Sequence, residues 1–123
     1  MANGEIEAHR QGRNPLVSGI EKLEGGKTIG EIWNERQALA GQTVTFRGEV
    51  VKRPPPRIMG RNWIHLRDGT TGEGDIGELT VTTSASPEVG STILVSGTVF
   101  IDRDFGYGYR YDLLIEDASI TIE

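Results

Sequence analysis

The chain has 123 residues, 17 Gly, 5 Pro, no Cys and a formal net charge of −5. That length suits one domain with a modest core; the missing Cys excludes disulfides and thiolate metal sites, and no apolar run is long enough to cross a bilayer. An acidic total also disfavours a chain-wide phosphate-binding surface, because nucleic-acid affinity rests largely on surplus cations.

The charge is unevenly placed. Between Arg47 and Arg67 stand six cations (Arg47, Lys52, Arg53, Arg57, Arg61, Arg67) against Glu49. From Asp68 onward, eleven acids face only Arg103 and Arg110. The basic stretch reads either as a ligand-facing loop or as a solvated, solubilising segment.

In chain order, residues 1–27 hold few large apolar side chains and read as a flexible arm. Met1–Gly12 is polar and lacks the apolar core of a signal peptide. Thr28 and Glu31 have capping-box spacing, and Ile29, Ile32, Trp33, Leu39 and Ala40 recur at helical spacing up to Gly41, so one amphipathic helix of roughly three turns is expected. Period-two alternation follows. A first strand is expected over Thr43–Lys52, with Val44, Phe46 and Val50 on one face and Gly48 marking a bend. A stiff proline loop, Arg53–Gly60, leads to a second strand over Asn62–Arg67. Its Trp63, His65 and Arg67 oppose Ile64 and Leu66. Third, fourth and fifth strands are expected over Glu78–Thr83, Ser91–Ile101 and Tyr109–Ile122, the last with an irregularity near Asp117. A loop over Asp102–Gly108 joins the last two.

Five strands at this spacing without intervening helices imply an all-β sandwich or small barrel. Long first and fourth strands, each with an internal Gly, favour the barrel.

The segments V-T-F-R-G-E-V-V-K (44–52), I-M-G-R-N-W-I-H-L-R-D-G-T (58–70), E-L-T-V-T-T (78–83), D-F-G-Y-G-Y-R-Y (104–111) and L-I-E-D-A (114–118) stand in order. Together they resemble a bacterial family of OB-fold proteins of the tRNA-anticodon/helicase type, described as nucleic-acid-binding and often exported. The resemblance spans about residues 28–123. It implies a five-stranded OB-type Greek-key barrel preceded by one N-terminal helix, and a periplasmic or otherwise exported location.

OB barrels bind ligands on the face of strands two and three, between the first and last inter-strand loops. Single-stranded nucleic acid would need cations for its backbone and aromatics for its bases. The candidates are Arg53, Arg57, Arg61, Trp63, His65, Arg67, Phe105, Tyr107 and Tyr109, with Tyr111 beside them. Trp63 and Tyr111 serve equally well as packing residues. Asp102 and Asp104 would repel phosphate, or else pair with Arg103, Arg110 or the first loop's arginines. Asn62 fits a role tying down loop backbone. Met59 and His65 would supply only two soft metal ligands, too few for a site. Asp68, Glu73, Asp75 and Glu78 cluster in sequence without the spacing of a calcium loop. No metal or other cofactor is therefore expected. No nucleophile elbow, zinc-protease helix or phosphate loop is present, so the expected class is a binding module, not an enzyme. Its partner is expected to be weakly bound single-stranded nucleic acid or, alternatively, an envelope protein or small ligand.

Overall fold

The computed structural model describes residues 20–54, 57–106 and 108–123. The remainder of the N-terminal arm, Pro55, Pro56 and Tyr107 lie outside the described residues. The protein is all-β in class, with two short helices ahead of five strands: α1 (Ile29–Asn34), α2 (Arg36–Leu39), β1 (Thr43–Lys52), β2 (Asn62–Arg67), β3 (Leu79–Thr83), β4 (Thr92–Asp104) and β5 (Arg110–Ile122). The strands form one closed sheet in the order β1-β2-β3-β5-β4, with β4 returning to β1. All neighbours are antiparallel except β3 and β5, which run parallel through Thr80 and Val81 against Leu114 and Ile115.

The interior follows from the period-two pattern. Val44, Phe46 and Val50 of β1, Ile64 and Leu66 of β2, Leu79 and Val81 of β3, Ile93, Val95 and Val99 of β4, and Leu113, Ile115 and Ala118 of β5 form one buried cluster. Burying each large aliphatic side chain fully is worth about 1.5–3 kcal/mol, which fixes the register, since a one-residue slip would turn a whole strand inside out. Val95, fully buried, faces inward as its alternation predicts.

The helical segment packs into the same cluster through Ile29, Ile32 and Trp33. Its start is the predicted capping box. Thr28 Oγ1 accepts from Glu31 N–H at 3.1 Å, and Thr28 N–H donates to Glu31 Oε1 at 2.9 Å. A second acceptor comes from the β2–β3 connection. Buried Asp68 takes the Ile29 N–H at 2.9 Å and both the N–H and hydroxyl of Thr70. Trp33 Nε1–H donates to the Glu78 carbonyl at 2.9 Å. The connection thus clasps the helix against the sheet.

Several expectations need correction. The single three-turn helix is instead two short helices broken at Glu35, where φ is −104° and ψ 12°. The Arg36 guanidinium donates to the Trp33 carbonyl at 2.7 Å, using an acceptor that a continuous helix would give to backbone. Ala40, expected on the apolar stripe, is exposed. The irregularity in β1 falls between Val50 and Lys52, not at Gly48. β3 begins at Leu79, one residue late, while β4 runs three residues past Ile101 to Asp104. β4 thereby takes up Asp102–Asp104 of the loop expected over Asp102–Gly108. The irregularity near Asp117 is present: Asp117 has φ +53°, and the β4–β5 register shifts between Ser96 and Thr98. Lys27 lies against β1, its N–H donating to the Thr45 carbonyl at 3.0 Å and its backbone bridging Phe46 in parallel.

Candidate pocket on the outer face

The side chains that alternate with the core point outward from β2, β3 and β5. On an ordinary antiparallel sheet such a face is wet. Here much of it is covered. Thr80, Thr82, Leu114 and Glu116 are buried, with Thr82 and Leu114 at 0 % exposure. Register places Trp63 opposite Thr82, His65 opposite Thr80, and Thr80 beside Leu114.

The cover includes the extended β4–β5 hairpin. Asp102 adopts φ +52°, a left-handed conformation uncommon for a residue with a side chain. Beyond it, Arg103 lies 4.9 Å from the ring centroids of both Phe100 and Phe105. Its Nε–H donates to Glu116 Oε2 at 2.6 Å. Phe105 meets Trp63 edge-on, with centroids 5.3 Å apart, and Tyr111 lies 5.4 Å from Trp63 and 6.3 Å from Phe105. These are favourable aromatic geometries. The Tyr111 phenol is pushed above its usual pKa by burial, helped by the nearby Tyr109.

The other wall is the β1–β2 loop. Ile58 and Arg61 exchange backbone hydrogen bonds, at 3.0 and 3.1 Å, around the two-residue turn Met59-Gly60. Both turn residues have positive φ, +55° and +75°, the requirement of a type I′ turn, whose first position favours Asn, Asp or Gly. Trp63 Nε1–H donates to the Ile58 carbonyl at 2.9 Å, tying the loop to β2. Asn62 Nδ2–H donates to the Ala85 carbonyl at 2.7 Å and to Ser86 Oγ at 3.0 Å, consistent with its expected task of holding loop backbone.

Between these walls lies a pocket of about 160 Å³, lined by Pro54, Ile58, Met59, Trp63, His65, Tyr109 and Tyr111. Six of the seven lining residues are apolar or aromatic. Met59 and Tyr109, half-exposed, stand at its rim. His65 Nδ1 lies 2.7 Å from Glu78 Oε2, so that ring nitrogen carries the hydrogen.

The candidate residues therefore separate. Trp63, His65 and Tyr109 line the pocket. Phe105 packs on Trp63 behind it. Arg61 is directed at Asp117 Oδ1 (3.1 Å) and Glu116 Oε1 (3.9 Å). Arg67 reaches Glu78 Oε1 at 3.3 Å. Arg110 reaches Asp102 at 3.1 Å, so the expected pairing at the hairpin is realised there, whereas Arg103 turns to Glu116. Arg53 and Arg57 are exposed on the loop, with the Arg57 guanidinium also donating to the Gly60 carbonyl. Tyr107 lies outside the described residues. The acidic cluster disperses: Asp68 serves Ile29 and Thr70, Glu73 meets Arg36, and Glu78 meets His65 and Arg67. Among the described residues no three His, Cys, Asp or Glu side chains converge as metal ligands would. No helix among them is long and apolar enough to cross a membrane.

Pro54 and Ile58 are not among the sequence candidates, and Met59 enters there only as a soft metal ligand. A detectable signal was Met-Gly at a two-residue turn where Asn-Gly is the ordinary choice. Comparison with protein families, curated proteins and solved structures finds no match to this chain.

Proposed function

We propose that this chain is an OB-type Greek-key barrel acting as a binding module, and that it captures an apolar, ring-bearing group of a partner protein in the outer-face pocket. The strand order β1-β2-β3-β5-β4 with a parallel β3–β5 contact, together with the resemblance of residues 28–123, supports the OB reading. The observation that carries the function is the lining: Pro54, Ile58, Met59, Trp63, Tyr109 and Tyr111 with a single imidazole. Such a concave, mostly apolar site with one polar group is the usual form of a ligand pocket. Export alongside envelope proteins accords with a protein partner and rests on the resemblance.

A second reading, weak binding of single-stranded nucleic acid, is favoured by one observation: exposed Arg53 and Arg57 flank the pocket's loop wall. Phosphate tracking needs cations that are not already neutralised. Arg61, Arg67, Arg103 and Arg110 each sit on a carboxylate, and Phe105 is already engaged edge-on with Trp63. These arrangements favour the protein partner.

A thermal-shift titration with phenol tests the pocket. A ligand that binds only the folded state raises Tm with its concentration. The expected result is a saturable rise for the native chain that is lost in Met59→Gly, which removes one wall of the pocket. No rise at any phenol concentration would contradict the reading.

A further inference from the structure

The pocket's size and its charged surroundings define the partner more narrowly. Cavities of about 150 Å³ lined by aliphatic and aromatic side chains hold one benzene ring. At about 160 Å³, this pocket accepts a single six-membered ring. A pyrimidine has the right size, but among the lining residues only His65, Tyr109 and Tyr111 carry polar side-chain groups beside an otherwise apolar wall, so part of its polar edge would be buried unpaired, which is costly. A phenyl ring carries no such penalty.

The rim supplies the second element. Arg53 and Arg57 directly flank the lining residues Pro54 and Ile58 in sequence, and both are exposed. Among the described residues no carboxylate stands in ion-pair contact with either, whereas Arg61, Arg67, Arg103 and Arg110 all have one. The loop wall is thus an apolar surface edged by cationic charge. A third observation is Met59 itself. A type I′ turn is most comfortable with Asn, Asp or Gly at its first position. Here the turn holds a half-exposed Met at φ +55°. Methionine is an adaptable contact residue at binding surfaces, and its place in a backbone geometry that disfavours it accords with a contact role.

We propose that the pocket receives one phenylalanine-like side chain of a partner polypeptide whose flanking residues are acidic, the ring seated between Met59 and Tyr109 and the carboxylates lying over Arg53 and Arg57. This rests on the pocket reading above and specifies its partner. Ring burial supplies affinity, and the rim charges select among ring-bearing segments and speed encounter.

The test is fluorescence anisotropy on the full chain with four labelled probes: a short peptide with one Phe between glutamates, the same peptide with lysines for glutamates, the glutamate peptide with Ala for Phe, and a thymidine oligonucleotide. The glutamate–Phe peptide is expected to bind about tenfold or more tightly than the lysine version, a difference typical of rim electrostatics. The Ala peptide is expected to lose binding, and the double variant Arg53→Glu with Arg57→Glu to reverse the charge preference while phenol still raises its Tm. Dependence on Phe with indifference to the flanks would overturn the acidic-partner claim and leave the pocket standing. Failure of all peptides while phenol still raises Tm would also overturn it and leave the pocket. Failure of peptides and phenol together would remove both. Oligonucleotide binding that exceeds the peptides, falls steeply with salt and vanishes in the double variant would overturn the proposal in favour of nucleic acid.

Discussion

Gly48 in β1 and Gly97 in β4 both occupy inward positions of the closed sheet, yet adding one methyl group to each should have opposite consequences. A Cβ on Gly97 would lie 2.5 Å from Ile115 Cγ2, 3.1 Å from Ala118 Cβ and 3.2 Å from the Glu116 carbonyl oxygen. Carbon atoms rest at about 3.5–4.0 Å, so β5 would have to retreat by roughly 1 Å at its irregular segment. Part of the obstruction is backbone, which cannot swing aside. Overpacking of this kind costs about 1–3 kcal/mol. A Cβ on Gly48 would meet the Arg67 carbonyl oxygen and Leu66 Cβ at 3.4 Å and Ile29 Cδ1 at 3.6 Å, which is ordinary contact. A strand Gly costs about 0.5–1 kcal/mol relative to Ala through its greater freedom when unfolded, so Gly48→Ala should be neutral or slightly stabilising. That freedom term is common to both substitutions, so the two variants should differ by the overpacking cost alone, roughly 1–3 kcal/mol. Urea unfolding followed by Trp fluorescence reads this directly as a shift in midpoint at constant slope. Equal midpoints, or Gly97→Ala the more stable, would refute the close approach of β4 and β5 at this point.

Asp68→Ala should cost about 1–3 kcal/mol, because the buried Ile29 N–H and the part-buried Thr70 N–H lose their shared acceptor; a loss below about 0.5 kcal/mol in the same urea assay would contradict the clasp between the β2–β3 connection and α1. Met59→Gly should raise Tm while weakening pocket occupancy, since it relieves a left-handed non-glycine residue and removes a wall; a lowered Tm would contradict the turn assignment. Glu31 has its pKa held below the usual range, first by the Thr28 backbone hydrogen bond and then by Lys22. Its contribution is therefore present above the unfolded carboxylate pKa and lost as pH falls through the lower folded value, and Glu31→Gln should flatten that acid limb of the Tm–pH curve. Tyr111 has its phenol pKa raised by burial, so the contribution of its neutral form is complete below the ordinary tyrosine pKa and lost as pH rises through the folded one. Ultraviolet titration should show a late-ionising phenol that is absent in Tyr111→Phe.

Much of the architecture was readable because the core leaves a strong pattern. β1 and β2 end where alternation predicts, since Val44, Phe46, Ile64 and Leu66 recur at every second residue on the inward face. Helix initiation was equally plain from Thr28 and Glu31. The break at Glu35 was not, because nothing there is a stop residue and the Trp33 carbonyl is taken by the Arg36 side chain, a contact that sequence spacing does not announce. The extension of β4 through Asp102–Asp104 carries no sequence signal, because this hairpin leaves the core and no inward apolar residue marks its period. Candidate residues of the pocket were partly legible. Trp63, His65 and Tyr109 follow from the strand face, but Pro54, Ile58 and Met59 become lining only when the loop folds back onto Trp63 through the Ile58 carbonyl. The arginines were found as charges. Their pairing with Glu78, Glu116 and Asp117 depends on cross-sheet geometry that sequence spacing does not encode.

The most direct test of the central claim is the chemical-shift map of the amide and indole N–H signals as phenol is added to the native chain. The account predicts saturable shifts centred on the Trp63 indole N–H, which donates to Ile58, and on the amides of Ile58, Met59, His65 and Tyr109, with the Trp33 indole unmoved. Shifts centred on Trp33, or scattered over the surface without saturation, would contradict the assignment of this pocket as the ligand site.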